Sequence, residues 1–591
     1  MIQTRFACAV SLIVGLLVGA APQHAAAQDP GALGERVVEI YEVQQYWVRI
    51  PPVGGNPFDV DGTVTFSGSD GSEIETPMFY DGPDDVGRSI YRFRFTGQKP
   101  GVTYQIETQS NVSGLDGHTG RLTTLPSSDP DGWGFVQAVG NRFAVERGPN
   151  GVLTGFLLNI VQTDPAGSNS PFKHLHLTDL LDNPEGRTRQ YARYARDHGF
   201  TAIYVLLTNH LLTEGAFESA DVTSDDPNIE VFRKLDRIVE TAHEEGLHVH
   251  FWRWGDANRG WSPQQLPGGI NGSVDRELTE YIGARLGPLP SWSIGYGFDL
   301  HEWVTPAQLE SWRDRLVGSM GFPHVLSARS YRFSDAPWTM IGYSQGDTEM
   351  GRSTDREPDY NELRSLFNSN SARPHLLEER NVLGRWGVDS DDTRMLMWRA
   401  AMAGGVGGWY GFFESDPAFT NDAGYTNQAA LKTHADFWRD RFQLDMQEDN
   451  DLTRGASQGQ FALRSPSTNQ IVVFGTNTSR VDLNLAGLSQ PLEAVAVDTR
   501  LAYNEINLGS LSSNDQQWNA PYQSDWAISI NGGTEPVCLP DLNGDGQLDG
   551  ADFNALVVAY NSNDLLADLD NNGTVDTSDV ILWITLFFQG C

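Results

Sequence analysis

The sequence predicts a multidomain chain: a (β/α)8 TIM barrel flanked by β-sandwich domains, with a small α-helical EF-hand-like module behind them. Three observations carry that expectation. Over residues 132–448, strand-like apolar runs alternate with amphipathic helical stretches, about eight pairs in all, which is the size of such a barrel. On either side, at 35–128 and 451–532, short runs of alternating apolar and polar residues are split by Gly, Pro, Asp and Asn. At 538–591 one Asp-rich loop pattern occurs twice in tandem.

The chain opens with what reads as a secretory signal over residues 1–27: Arg5, an apolar run at 9–20, then Ala25, Ala26 and Ala27. That run is shorter than the roughly 20 residues a bilayer span needs, so cleavage is expected rather than anchoring. No later stretch is long and apolar enough to span, so the product is expected to be secreted: extracellular, periplasmic or on the cell surface. With 77 acidic against 41 basic side chains the net charge is −36, which argues against nucleic acid and anionic membranes as partners, since both repel it. Cys8 leaves with the signal, and Cys538 and Cys591 are too few for a disulfide scaffold. The core must therefore come from apolar burial, and 591 residues at 39% hydrophobic content supply three or four domains.

In the first β region, residues 46–50, 63–66, 89–95 and 103–108 read as strands, with Pro100-Gly101 turning between the last two. In the barrel region, 200–207, 247–252 and 324–327 are strand-like, and 292–296, 340–343, 375–377 and 409–410 continue the series. Between the first two strands, apolar residues at Ile229, Phe232, Leu235, Ile238, Val239 and Ala242 have helical spacing, and Gly246 is placed as the stop. No Gly-rich phosphate loop follows an early strand, which argues against a doubly wound sheet. After the barrel, 461–463, 471–474, 481–485 and 493–497 return to strands, read as a small sandwich packed against it.

Two loops share one pattern near the end. Asp541, Asn543, Asp545, Asp549 and Asp552 take positions 1, 3, 5, 9 and 12 of the first; Asp568, Asp570, Asn572, Asp576 and Asp579 take those of the second. Gly546 and Gly573 occupy the sharp turn at position 6, and Gln547 and Thr574 offer backbone carbonyls at position 7. Two calcium ions are therefore expected. Position 12 is Asp instead of the usual Glu in both loops, and the whole segment resembles dockerin-type modules. That resemblance implies a cohesin-like protein partner, met by a hydrophobic stripe including Leu565, Val580 and Trp583. Cys538 and Cys591 bracket the module and could clasp its ends.

Reacting groups of a (β/α)8 barrel sit at the C-terminal ends of its strands. There the fourth strand runs into Asp299, His301, Glu302 and Trp303, and the seventh into Glu378 and Glu379. The third ends in Trp252, Arg253 and Trp254, and the eighth in Trp409 and Tyr410. Carboxylates after strands four and seven, with aromatic faces on three, four and eight, are what glycoside hydrolysis needs: one carboxyl protonates the leaving oxygen, the other attacks or activates water, and rings stack on sugars. Arg253 and Arg329 could bind an acidic sugar or pair with the carboxylates; Asn209 and His210, after strand two, could hold a hydroxyl.

The turn at 99–104, the barrel, the β tail and the eighth-strand sequence at 403–411 resemble the apiosidase-like group of glycoside hydrolases over about residues 35–530. The resemblance implies a strand-four Asp as general acid and a strand-seven Glu as its partner, here Asp299 and Glu378, with Glu302 the competing acid. Neighbouring strand residues face opposite ways, so only one of Glu378 and Glu379 faces the site, taken as Glu378. The expected function is a secreted glycoside hydrolase acting on a plant or algal polysaccharide. The alternatives are a polysaccharide lyase using Tyr296 and His301, or a non-catalytic carbohydrate-binding or cell-surface assembly protein.

Overall fold

The computed structural model describes residues 33–162, 175–212, 225–255, 262–298, 300–329, 340–343, 359–377, 390–412, 428–453, 459–486, 488, 492–512, 517–531, 550–562, 567 and 575–589. The first eight strands are β1 (Glu35–Glu39), β2 (Val43–Ile50), β3 (Gly62–Gly68), β4 (Glu73–Pro77), β5 (Phe79–Pro83), β6 (Ser89–Thr96), β7 (Thr103–Ser110) and β8 (Thr119–Leu125). They make two sheets, ordered β1-β8-β7-β3-β4 and β2-β6-β5, with β1 parallel to β8. Alternation decides the faces. Tyr91, Phe93 and Phe95 of β6 point between the sheets, where Phe93 stacks on Tyr46 at 5.0 Å.

Arg92 and Arg94 leave β6 on the opposite face, where Arg92 pairs with Asp81 of β5 and Arg94 meets the barrel's helices. Arg94 Nη2 lies 2.6 Å from Asp236, which also binds Arg285 Nη2 at 2.7 Å, while Arg285 Nη1 reaches Asp81 at 2.8 Å. Each of these four side chains is almost fully buried, so every charge removed from water there has an opposite partner.

The barrel begins later than residue 132. Strands β9 (Trp133–Val139), β10 (Arg142–Arg147) and β11 (Val152–Phe156) form their own antiparallel sheet. Its Val136, Phe143, Val145 and Phe156 pack with Ile160 and Tyr204 of the barrel interior, so this sheet plugs the barrel's N-terminal end. Short apolar β runs look alike whether they open a barrel or cork it, which is why the sequence reading merged them.

The closed barrel comprises β12 (Asn159–Gln162), β13 (Ala202–Leu206), β14 (His248–Trp252), β15 (Trp292–Gly295), β16 (Leu326–Arg329), β17 (Met340–Tyr343), β18 (His375–Leu377) and β19 (Gly407–Phe412), all parallel. The helices described around it are α1 (Thr178–Leu181), α2 (Pro184–Asp197), α3 (Ile229–Glu244), α4 (Ser273–Leu286), α5 (Pro306–Met320), α6 (Tyr360–Ser369), α7 (Ser390–Met402) and α8 (Gln428–Trp438). Helix α3 occupies the stretch expected for it: Asn228 caps its start by accepting the Val231 N–H at 3.2 Å, and Gly246 turns out of it at φ 73°. Ala202, Tyr204 and Leu206 face inward while Ile203 and Val205 face the helices, the two-residue alternation a barrel sheet requires.

The C-terminal β domain is one continuous six-stranded sheet, not the two stacked sheets expected. It contains β20 (Gln447–Glu448), β21 (Gln460–Arg464), β22 (Ile471–Asp482), β23 (Leu492–Asp498), β24 (Glu505–Leu511) and β25 (Gln517–Ile530), ordered β20-β21-β22-β25-β23-β24. One face joins the barrel's core through Phe461, Val472 and Phe474; the other holds a separate cluster around Trp526 and Ile528. Finally α9 (Gly550–Ser562) and α10 (Thr577–Gln589) pack on each other through Leu556, Ala559 and Trp583. Among the described residues no helix is long and apolar enough to cross a membrane.

Candidate active site

Side chains of β13, β14 and β19 converge inside the barrel. Tyr204, Trp252, Trp409 and Phe298 form one aromatic cluster: Trp252 lies 5.3 Å from Tyr204, 4.8 Å from Trp409 and 3.6 Å from Phe298 between ring centroids. All four rings are buried, so they floor the mouth. Of the aromatic residues expected as sugar-facing walls, Trp252 and Trp409 lie on this inner face.

Trp254, Trp303 and Tyr410 do not. They pack in the layer between sheet and helices, so their expected role as walls is corrected. Trp303 stacks on Tyr296 at 5.7 Å and donates its indole N–H to Phe298 O at 2.7 Å, strapping the loop that leaves β15. The same loop is tied by Phe298 N–H to Gly255 O at 3.1 Å and by Tyr296 N–H to Ser327 O at 3.1 Å. A side chain at Gly297 would meet Trp254 O at 2.7 Å, so the two loop backbones touch. Phe298, the residue before Asp299, is thereby fixed in place.

Arg253 also turns away from the mouth. It is fully buried, its guanidinium sits 3.6 Å from the Trp254 ring, and Nη1 donates to Thr208 O at 2.8 Å. Burial lowers its pKa to about 10, with Asp275 and Tyr296 acting against that fall. Thr208 N–H returns a bond to Arg253 O at 3.0 Å. Thr208 itself stands at φ 47°, a left-handed backbone that a β-branched residue seldom adopts. Arg253 thus clamps a strained turn, Thr208–Leu211, at the end of strand two instead of reaching a sugar.

That turn carries Asn209, whose side chain lies outside the described residues, and His210, which is buried. Beside it is His176, whose pKa burial pushes down to about 3, with the charge of His210 adding to the fall. His176 pairs with Leu206 through an isolated parallel bridge, and the sequence reading missed it because no strand or motif marks its surroundings.

Asp299, Glu378 and Glu379 lie outside the described residues. Glu302 is in the turn Leu300–Glu302 and is exposed; the side chains of His301 in that turn and of Arg329 at the end of β16 are outside the description. In the C-terminal module, Asp541, Asn543, Asp545, Gln547, Asp549, Asp568, Asp570, Asn572 and Thr574 are also outside it. Asp552 and Asp579 are wholly buried in the first turns of α9 and α10, while Asp576 is exposed and donates its N–H to Asp579 Oδ2 at 2.8 Å. A carboxylate withdrawn from water beside a run of oxygen-bearing residues fits a calcium ligand. Trp583 is core, packed on Phe587 at 4.7 Å, so the expected docking stripe loses it; Phe553, Val557, Val558, Ile581 and Ile584 are exposed instead.

Residues 176–454 match the family model described as apiosidase-like, catalytic domain, and residues 37–111 match a domain of unknown function, DUF5060. No curated protein matches the chain. Among solved structures, a Bacteroides vulgatus protein named as a candidate glycoside hydrolase is similar at TM-score 0.58 and 14% identity, covering 84% of this chain and 99% of its own. A glycoside hydrolase family 5 protein from the same species is similar at TM-score 0.49 and 14% identity, over 68% of this chain and 94% of its own. The first shares the fold; the catalytic-domain match covers seven of the eight barrel strands, β13 to β19. The chain is a glycoside hydrolase.

Proposed function

We propose that this glycoside hydrolase is secreted and cleaves a plant or algal polysaccharide with two carboxylates, Asp299 as general acid and Glu378 as nucleophile or base. The observation that carries the reading is the buried aromatic floor of Tyr204, Trp252, Phe298 and Trp409, with Phe298 bonded in place directly before Asp299. An acid set over such an apolar floor would have its pKa raised, as a proton donor requires. Glu302 is supported less, because its side chain is exposed to water.

The reading is tested by substitution. Asp299→Asn keeps the shape and removes the proton, so activity on the polysaccharide should fall by roughly 10² or more, and less on substrates with good leaving groups. Glu378→Gln should abolish turnover on every substrate. Glu302→Gln should be active; a dead Glu302→Gln beside an active Asp299→Asn would make Glu302 the acid. Full activity in all three would remove this barrel mouth as the site.

The same reading has the C-terminal module bind two calcium ions and tether the enzyme to a cohesin-like partner through the exposed Phe553, Val557, Val558 and Ile581. Asp552 and Asp579, buried in the first turns of α9 and α10, stand at position 12 of the two loops, where a calcium ligand is expected. With excess chelator, proteolysis of the full chain should cut within residues 538–591 and spare the barrel. Equal resistance with chelator and with calcium would count against the metal.

A further inference from the structure

Inside the barrel one hydrogen-bonded chain climbs from the plugged end to the mouth. His248 Nε2 lies 2.8 Å from Ser293 Oγ, His250 Nδ1 lies 2.8 Å from the same oxygen, and Trp252 Nε1–H donates to His250 Nε2 at 3.2 Å. Every member is buried. An indole nitrogen can only donate, so His250 Nε2 must accept. Burial pushes His250 down to about 3, which leaves the ring neutral at working pH, with its one proton on Nδ1. That proton goes to Ser293 Oγ, whose own proton is left for His248 Nε2.

The indole so held has no room to turn. A Cβ on Gly295 would stand 2.9 Å from both its Cδ1 and Nε1, so the ring lies directly on the fourth-strand backbone. Its other side meets Phe298 at 3.6 Å, nearly perpendicular at 79°. Trp252 therefore touches strand four at Gly295 and again at Phe298, the residue before Asp299.

We infer that His250 is a positioning residue, fixing the Trp252 ring and through it the Phe298 end of the strand-four loop that carries the acid. This rests on Asp299 being that acid. Two substitutions separate the role from simple core filling. Gln at 250 is long enough to put an amide oxygen at the Nε2 position and accept from Trp252; Asn reaches only the Nδ1 position and serves Ser293 alone. The full chain with 15N-labelled tryptophan reports the Trp252 indole N–H, assigned by its disappearance in Trp252→Phe. His250→Asn should move that resonance and lower kcat by up to about 10²-fold with KM little changed, measured on the p-nitrophenyl glycoside or polysaccharide that the unaltered chain cleaves. His250→Gln should restore both. The inference is overturned if Asn and Gln behave alike, or if the resonance moves while kcat does not. An inactive Asp299→Asn with either of those results would leave the acid standing and remove His250 alone; a fully active Asp299→Asn would remove the acid, whatever the His250 variants do.

Discussion

Thr208 stores strain where strand two opens to the mouth. A β-branched residue at φ 47° costs of the order of 1–3 kcal/mol, and the reciprocal bonds with Arg253 hold it there. Thr208→Gly should relieve that strain and raise stability by about 1 kcal/mol, after the extra freedom glycine gains in the unfolded chain. Thermal unfolding checks it, and a lower midpoint would mean the Thr208 side chain contributes more by packing than its backbone costs. None of this is legible in sequence, since a left-handed threonine leaves no compositional mark. Trp252 and Trp254 show the same limit. Two-residue alternation puts both on one face, yet β14 ends at Trp252 and the chain swings Trp254 into the outer layer beneath the Arg253 guanidinium. The strand was readable; the residue at which its alternation stops was not.

Elements with strong periodicity were placed from sequence alone. The α3 span, the seven barrel strands from β13 to β19 and the strands β6 and β7 fall where the apolar spacing puts them, because burial of one face enforces the period, while β12 went unread. The plugging sheet β9–β11 was not separated, and it holds a titrating group. Glu146 of β10 is buried, which raises its pKa to about 7, although Gln98 and Gln137 each donate to Oε1 at 2.6 Å. Gln98 belongs to the sandwich and Gln137 to the plug, so the carboxyl joins the two. A carboxyl raised in the fold favours folding while protonated. Its contribution is complete below the unfolded value near 4.5 and shrinks as pH climbs to about 7. The whole span corresponds to roughly 3 kcal/mol at most. Glu146→Gln keeps an oxygen for both glutamines and cannot ionise. Urea unfolding should therefore find it more stable than the unaltered chain at pH 8 and nearly equal at pH 4.5. A matching gap at both pH values would assign the effect to packing.

Across the whole molecule, the DUF5060-matching sandwich and the barrel are joined by buried charge rather than by a linker and a wet contact. Asp236 of α3 receives Arg94 of the sandwich and Arg285 of α4, and Asp81 of the sandwich receives Arg285 in return. Burial alone would raise both carboxyls, but the arginines more than offset it: Asp236 is lowered, and Asp81 is lowered to about 2. The stability Asp81 supplies is present above its ordinary value near 3.8 and is lost as pH falls through about 2, so the joint should survive mild acid. Removing one acid is a different matter. Asp236→Asn leaves Arg94 and Arg285 out of water without a full counter-charge, and such breaks cost about 3–5 kcal/mol. Because both domains contribute to the network, that cost should fall on both together. Calorimetry should show sandwich and barrel melting in one transition in the unaltered chain, with the whole transition moved down in Asp236→Asn. Two separate transitions in the unaltered chain, with only the barrel's affected by the substitution, would show that the sandwich folds without regard to the catalytic domain.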